Sequence, residues 1–215
     1  MHTPTFVPYA VGIDVAKATL SVCFRSLEGK ESALTLRNID ADIKKRLIAP
    51  LRGFTGRIVL EATNHYHWLV TLLLTDAGHT VTVVNPLLAK QYTSSTVRKV
   101  KTDPADASGL ARMAAVAHDL PRPFKDTREA LALRKKISGI AHLTYQIQSF
   151  QSMVEQLKES HAILNMSLSK GEKALTKSLA LLRKQKRVLE EEVTRESTSA
   201  GVARLDAVPG ITPFV

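Results

Sequence analysis

The sequence predicts an α/β fold with a mixed sheet, followed by a long helical segment, and three observations carry that prediction. Short apolar runs of strand length alternate with helical-period stretches over residues 1–124. From residue 125 to about 200 the strand signal disappears, and apolar residues recur only at helical spacing. Acidic residues close two of the predicted strands, Asp14 and Glu61, and open one predicted helix, Asp103 and Asp106.

Taken in order, residues 1–8 contain two prolines and read as a loose leader. Tyr9 to Lys17 is a short apolar strand that reaches Asp14, Thr19 to Phe24 alternates, and Ser32 to Arg37 alternates again after a Glu28-Gly29 turn. Three strands with such tight connections predict an antiparallel meander. Asp40 to Leu51 has helical period, with Ile43, Leu47 and Leu51 on one face. Arg57 to Glu61 is another buried strand. His65 to Ala77 reads as a helix stopped by Gly78, with Trp68 in the core, and His79 to Val84 reads as a strand stopped by Asn85-Pro86. Pro86 to Tyr92 is a short helix, Thr93 to Thr102 is polar and basic, and Asp103 to His118 is helical. The order βββ-α-β-α-β-α is that of an α/β sheet with a mixed strand pattern, closed by Pro121 and Pro123.

Two long amphipathic helices are expected next, joined near residues 165–171. The first carries Leu133, Ile137, Ile140, Leu143 (or Thr144), Ile147, Phe150, Val154, Leu157 and His161; the second Leu168, Leu175, Leu179, Leu182, Leu189 and Val193. They suit an antiparallel coiled-coil hairpin or an intermolecular coiled coil; helices with so little to pack on within one copy suit self-association, and the alternative is a helical bundle folded back on the α/β unit. Residues 201–215 read as the opening of a further domain, with Val208-Pro-Gly-Ile211 similar to the turn of a helix-hairpin-helix. The expected division is 1–124, 125–200 and 201–215.

Net charge is +10 and the isoelectric point is about 9.8, which favours a polyanionic partner over a small metabolite. Residues 1–125 hold 16 Lys and Arg against 10 Asp and Glu, and residues 126–215 hold 14 against 10. Both parts can therefore face nucleic acid. The one cysteine, Cys23, excludes an internal disulfide and a thiolate metal cluster, and it reads as a core thiol in a reducing, cytosolic setting. No apolar run approaches the ~20 residues of a membrane span.

The acids carry the chemistry. Asp103 stands where a helix N-cap belongs, Pro104 occupies the first helical position, and Asp106 falls in the first turn on the face of Asp103. A capped helix with its dipole complemented explains that pair alone. Asp14 and Glu61 change the balance, because ends of neighbouring strands in an open α/β sheet converge. Four converging carboxylates repel one another unless cations are present, and hard oxygen donors select Mg²⁺ or Mn²⁺. Two such ions ~4 Å apart serve phosphodiester chemistry.

Val11-Gly-Ile-Asp14-Val-Ala-Lys17, Leu60-Glu61-Ala-Thr63, Val84-Asn-Pro86 and Lys101-Thr-Asp103-Pro-Ala-Asp106-Ala107 together resemble the DEDD transposases of bacterial insertion sequences, a group that includes Piv-type DNA invertases. The resemblance implies an RNase H / Holliday-junction-resolvase-like N-terminal domain with Asp14, Glu61, Asp103 and Asp106 as metal-binding catalytic acids. It also implies a coiled-coil middle, assembly into dimers or tetramers, DNA as substrate, a structured guide (bridge) RNA, and a bacterial cytoplasmic, nucleoid-associated setting. In that family a C-terminal domain supplies a nucleophilic serine. Here it is expected to begin near Leu205, so most of it lies beyond this chain, and Thr212-Pro213 departs from the family's small residue after Gly-Ile. On that expectation the chain alone does not complete recombination.

Among the basic residues, Lys17 is either a phosphate contact or a solvated strand-end lysine. Arg98, Lys99 and Lys101 flank the acids in a polar loop and suit phosphate contacts. Arg183, Lys184, Lys186 and Arg187 form the densest basic run and are candidate RNA or DNA contacts. His65 and His67 follow Glu61 closely; they attend the site or open a helix and pack. Two other functions share these features. One is a metal-dependent nuclease or junction resolvase that needs no serine; the other is a non-catalytic module that binds nucleic acid and dimerises.

Overall fold

The computed structural model of the chain describes residues 7–93 and 103–199, and side chains within 7–90 and 105–197. Expectations for the start of the leader, for the basic loop with Arg98, Lys99 and Lys101, and for residues 201–215 fall outside the described residues. The chain divides into two compact units, 1–125 and 126–215.

The first unit is built on a five-stranded mixed sheet of order β3-β2-β1-β4-β5. Strands β1 (Ala10–Val15), β2 (Thr19–Arg25) and β3 (Glu31–Arg37) form the expected antiparallel meander, with Gly12 opposite Cys23 and Cys23 opposite Ala33. β4 (Arg57–Glu61) lies parallel to β1, and β5 (Val81–Val84) parallel to β4. Two pairings are thus antiparallel and two parallel, which gives the mixed sheet that the sequence predicts.

Period two divides the sheet into faces. Val11, Ile13 and Val15 of β1, with Ile58 and Leu60 of β4, point into one core with Val70, Leu73 and Leu74 of α2 (Trp68–Asp76). The same core takes Ile43, Leu47 and Leu51, the three residues whose spacing marks one helical face. Each is at most 1% exposed, so each contributes roughly 1.5–3 kcal/mol of burial. The segment itself is irregular: one turn of α1 (Asp40–Asp42) passes into a π-helical stretch, Ile43–Ile48, and a 3₁₀ turn, Ala49–Leu51, with Pro50 at its start. The opposite face of the sheet offers Ala10, Val59 and Val84 to Ala89 of α3 (Pro86–Thr93) and to Leu110, Met113 and Ala114 of α4 (Asp103–Val116).

Two local expectations need correction. The helix expected from His65 begins at Trp68, because Thr63 to His67 forms turns with Tyr66 N donating to Thr63 O and Asn64 at φ +46°. Trp68 is only half-buried, and it is His67, at 7% exposure, that packs inside.

The second unit is an antiparallel hairpin of α5 (Arg128–Ile163) and α6 (Lys170–Ser199). Thr127 caps α5 by accepting from Ala130 N. At the turn, Ser169 and Glu172 form a reciprocal capping box, and His161 meets Glu172 at 2.7 Å. Farther along, Gln151 accepts from Arg183 and Lys136 pairs with Glu196, which fixes the antiparallel register. Leu133, Ile147, Val154, Leu179 and Val193 are buried, all of them members of the apolar series read from the sequence.

Candidate acidic centre

Asp14 is the fifth of six residues in β1, and Glu61 is the last of β4. The parallel register runs to Ile13 opposite Leu60, so the next step along both strands sets Asp14 beside Glu61. Neighbouring parallel strands lie about 4.8 Å apart, and residues in register share a face. That face is the one carrying Ala10 and Val59, beneath α4. Both acids are half-buried.

Helix α4 supplies the other pair. A Cβ on Gly12 would lie 2.2 Å from both Ala107 O and Ala111 N, so the helix backbone rests directly on β1 at the one residue without a side chain. Ala107 and Ala111 pack there with Cys23 of the neighbouring strand. At the other end of the helix, Arg57 of β4 donates to Ala117 O at 2.6 Å. Arg57 begins the strand that Glu61 ends. The helix therefore crosses β1 at Gly12 and ends against the start of β4. Asp106, half-buried, immediately precedes the Ala107 that sits over Gly12. Asp103 is the first residue of the same helix, and its side chain lies outside those described.

A further tie holds α4 from the side. Ser108 Oγ donates to Glu31 Oε2 at 2.7 Å, and Glu31 Oε1 pairs with Arg25 at 2.5 Å. Neither Glu31 nor Ser108 has a marked sequence signal. Their partnership joins residues far apart in the chain, which periodicity does not report. The Cys23 thiol, pushed up to about 11 by burial and then by the Glu31 carboxylate, is a packing group.

Lys17 is exposed just beyond the end of β1. Of the basic run on α6, Lys184 is exposed, Arg183 is bonded to Gln151, and Lys186 and Arg187 pair with Glu190 and Glu191 at 2.8 Å and 3.3 Å. His65 is exposed and touches Asn64 at 3.0 Å, whereas burial holds the His67 imidazole below its ordinary pKa. Among the described residues no three His, Cys, Asp or Glu side chains form a metal-holding group. Asp14 and Glu61 stand in register on neighbouring strands and Asp106 lies on the helix packed against one of them; carboxylate oxygens are hard donors of the kind that fit Mg²⁺ or Mn²⁺ rather than a soft-ligand metal.

Comparison with known proteins agrees with the motif set. Pilin gene-inverting proteins of Moraxella lacunata and Moraxella bovis are 31% and 30% identical over 113 residues, a stretch that is 49% of this chain and 34% of each relative. The chain thus matches about a third of the length of those relatives. Among solved structures, Thermus thermophilus RuvC, one of them in complex with a Holliday junction substrate, matches at 16% and 17% identity. The TM-score is 0.37 for each, covering 53% of this chain and 98% of that one. The model of the IS110-type DEDD transposases matches residues 11–162, most of the chain, and the chain belongs to that transposase family.

Proposed function

We propose that this chain carries the metal-dependent acidic centre of a DNA transposase or recombinase, with Asp14, Glu61, Asp103 and Asp106 as the ligands of Mg²⁺ or Mn²⁺. The observation that supports the reading is the register that sets Asp14 beside Glu61, with α4 seated on β1 at Gly12 just after Asp106. A divalent cation held there supplies Lewis acidity for phosphodiester chemistry. The chain's own residues do the rest. The carboxylates hold the cation, the sheet and α4 keep them from spreading under their mutual repulsion, and Lys17 with Arg98, Lys99 and Lys101 binds phosphate oxygens beside them.

The same reading extends to the full-length recombinase. The acidic centre works with a serine nucleophile from a C-terminal domain, a structured guide RNA selects the DNA, and the α5–α6 hairpin joins copies into a dimer or tetramer. Arg183, Lys184, Lys186 and Arg187 offer that hairpin's RNA or DNA contacts. Support for a DNA-level reaction comes from family membership and from the gene-inverting relatives.

Replacing Asp14 or Asp106 by Asn in the full-length recombinase is expected to abolish recombination while leaving the circular dichroism spectrum and melting temperature close to wild type. Unchanged recombination by either variant would overturn the reading. Incubating this chain with Mg²⁺ and branched DNA separates the alternatives: robust cutting by these residues alone favours a junction resolvase. Tight RNA binding with no Mn²⁺ affinity favours a non-catalytic module.

A further inference from the structure

Asp14 and Glu61 end neighbouring strands, so their separation depends on the two loops that leave the sheet just beyond them. One side chain holds both loops. Asn38, between β3 and α1, donates from Nδ2 to Ala16 O at 3.1 Å and to Tyr66 O at 3.0 Å. Ala16 lies two residues after Asp14 and one before Lys17; Tyr66 lies in the turn that follows Glu61. Both partners are carbonyl oxygens, so only the amide NH₂ can serve them, and the orientation of the carboxamide is fixed by chemistry. Its two hydrogens are both used. The Asn38 Oδ1 atom, in contrast, is buried and finds no hydrogen-bond partner among the described residues. A buried unpaired acceptor costs stability. What the amide supplies here is its two donors.

The backbone supports the same picture. Asn38 N donates to Ala18 O at 2.9 Å, and Ala16 N to Thr19 O at 2.9 Å, so the β1–β2 turn is already closed on itself. The loop after β4 closes through Tyr66 N to Thr63 O at 3.1 Å and Trp68 N to His65 O at 3.1 Å. Each loop is internally tied, and the Asn38 amide bridges one to the other.

We propose that Asn38 is a positioning residue of the acidic centre, strapping the loops behind Asp14 and Glu61 so that the two carboxylates keep the spacing a divalent cation requires. This rests on the metal-dependent reading above. Residues that orient metal ligands from behind typically tune metal affinity 10–100-fold. Asn38→Asp has the same shape and no donor, and it sets a carboxylate against two carbonyls. Asn38→Ala removes the strap without adding charge, and remains informative if the aspartate variant fails to fold.

The test measures Mn²⁺ binding by calorimetry on this chain, well below the melting temperature, together with amide hydrogen exchange in the segments 16–19 and 62–68. Expected are an Mn²⁺ affinity about tenfold or more weaker than wild type, and faster exchange in both segments, with exchange in the α5–α6 hairpin unchanged. A purely structural role would lower the fraction of protein that binds, with the affinity of the folded fraction unaltered. If wild type binds Mn²⁺, Asp14→Asn does not, and the Asn38 variants match wild type, the positioning role is overturned and the metal reading stands. If wild type itself binds no Mn²⁺, the metal reading falls, and this inference falls with it.

Discussion

His67, which the sequence leaves as either an attendant of the acids or a packing residue at a helix start, packs inside. It sits at 7% exposure beside Trp68, its ring edge-on to the indole, and burial lowers its pKa, with the carbonyls of Thr63 and Asn64 partly opposing that shift. The neutral ring is the folded form, so the unfolded chain takes up a proton that the folded chain resists. Its stabilising contribution is complete above an unfolded pKa of about 6.5 and is lost as pH falls through the lower folded value. Urea midpoints measured at about pH 7.5 and 5.5, on either side of that unfolded value, are expected to drop for wild type on acidification, and to drop less for His67→Gln. Equal slopes would show that His67 is not the group responsible. In the sequence, His65, His67 and Trp68 formed a single cluster near an acid. Which of them turns inward depends on Asn64 adopting φ +46°, a backbone detail that no hydrophobic period encodes. Asn38 was invisible for a related reason: its value lies in two carbonyls from distant loops, and neither is a side-chain signal.

At the scale of elements, the seating of α4 on β1 is the decisive contact. The helix touches β1 backbone to backbone at Gly12, and a methyl group there would overlap Ala107 O and Ala111 N at 2.2 Å. Neither neighbour is a flexible side chain that could step aside. Gly12→Ala is therefore expected to destabilise the first unit by about 1–3 kcal/mol, the range for overpacked contacts. It should also weaken Mn²⁺ binding, because the helix must lift and carry Asp106 with it. Chemical denaturation and calorimetry check the two effects; a variant as stable as wild type would mean that α4 is less closely seated. The meander, the strand-end acids, the helix of Asp103 and Asp106 and both long helices were all legible, because each is a local pattern of period two or 3.6. The π-helical stretch Ile43–Ile48 kept its Ile43, Leu47 and Leu51 face while losing regular helix geometry, so the pattern announced burial better than it announced hydrogen bonding. The orientation of α4 over β1 was not legible. The absence of a side chain at Gly12 becomes informative only once the helix lies on it.

At the scale of the whole molecule, both units carry excess positive charge, but not all of it is equally available. Lys186 and Arg187 are each paired with a glutamate four residues on, whereas Lys184 is exposed. Each phosphate contact contributes about 0.9 to the slope of log K against log salt for duplex DNA. Lys184→Gln is thus expected to reduce that slope by about one contact, and Lys186→Gln by less, in binding titrations across a salt series. Equal effects would mean that the Lys186–Glu190 pair opens on binding. Strand signals stop in the sequence where prolines and the Thr127-capped helix begin.

The seating of α4 on β1 also sets an order of assembly. Asp14 and Glu61 are brought together by strands that pair early in the chain, but Asp106 arrives only after most of the first unit has been threaded. Contacts between such distant segments form late, since the loops between them must close first. A partly folded or nascent chain thus owns half a centre. On the proposed metal reading, the capacity to hold a cation becomes a report that α4 has docked on β1.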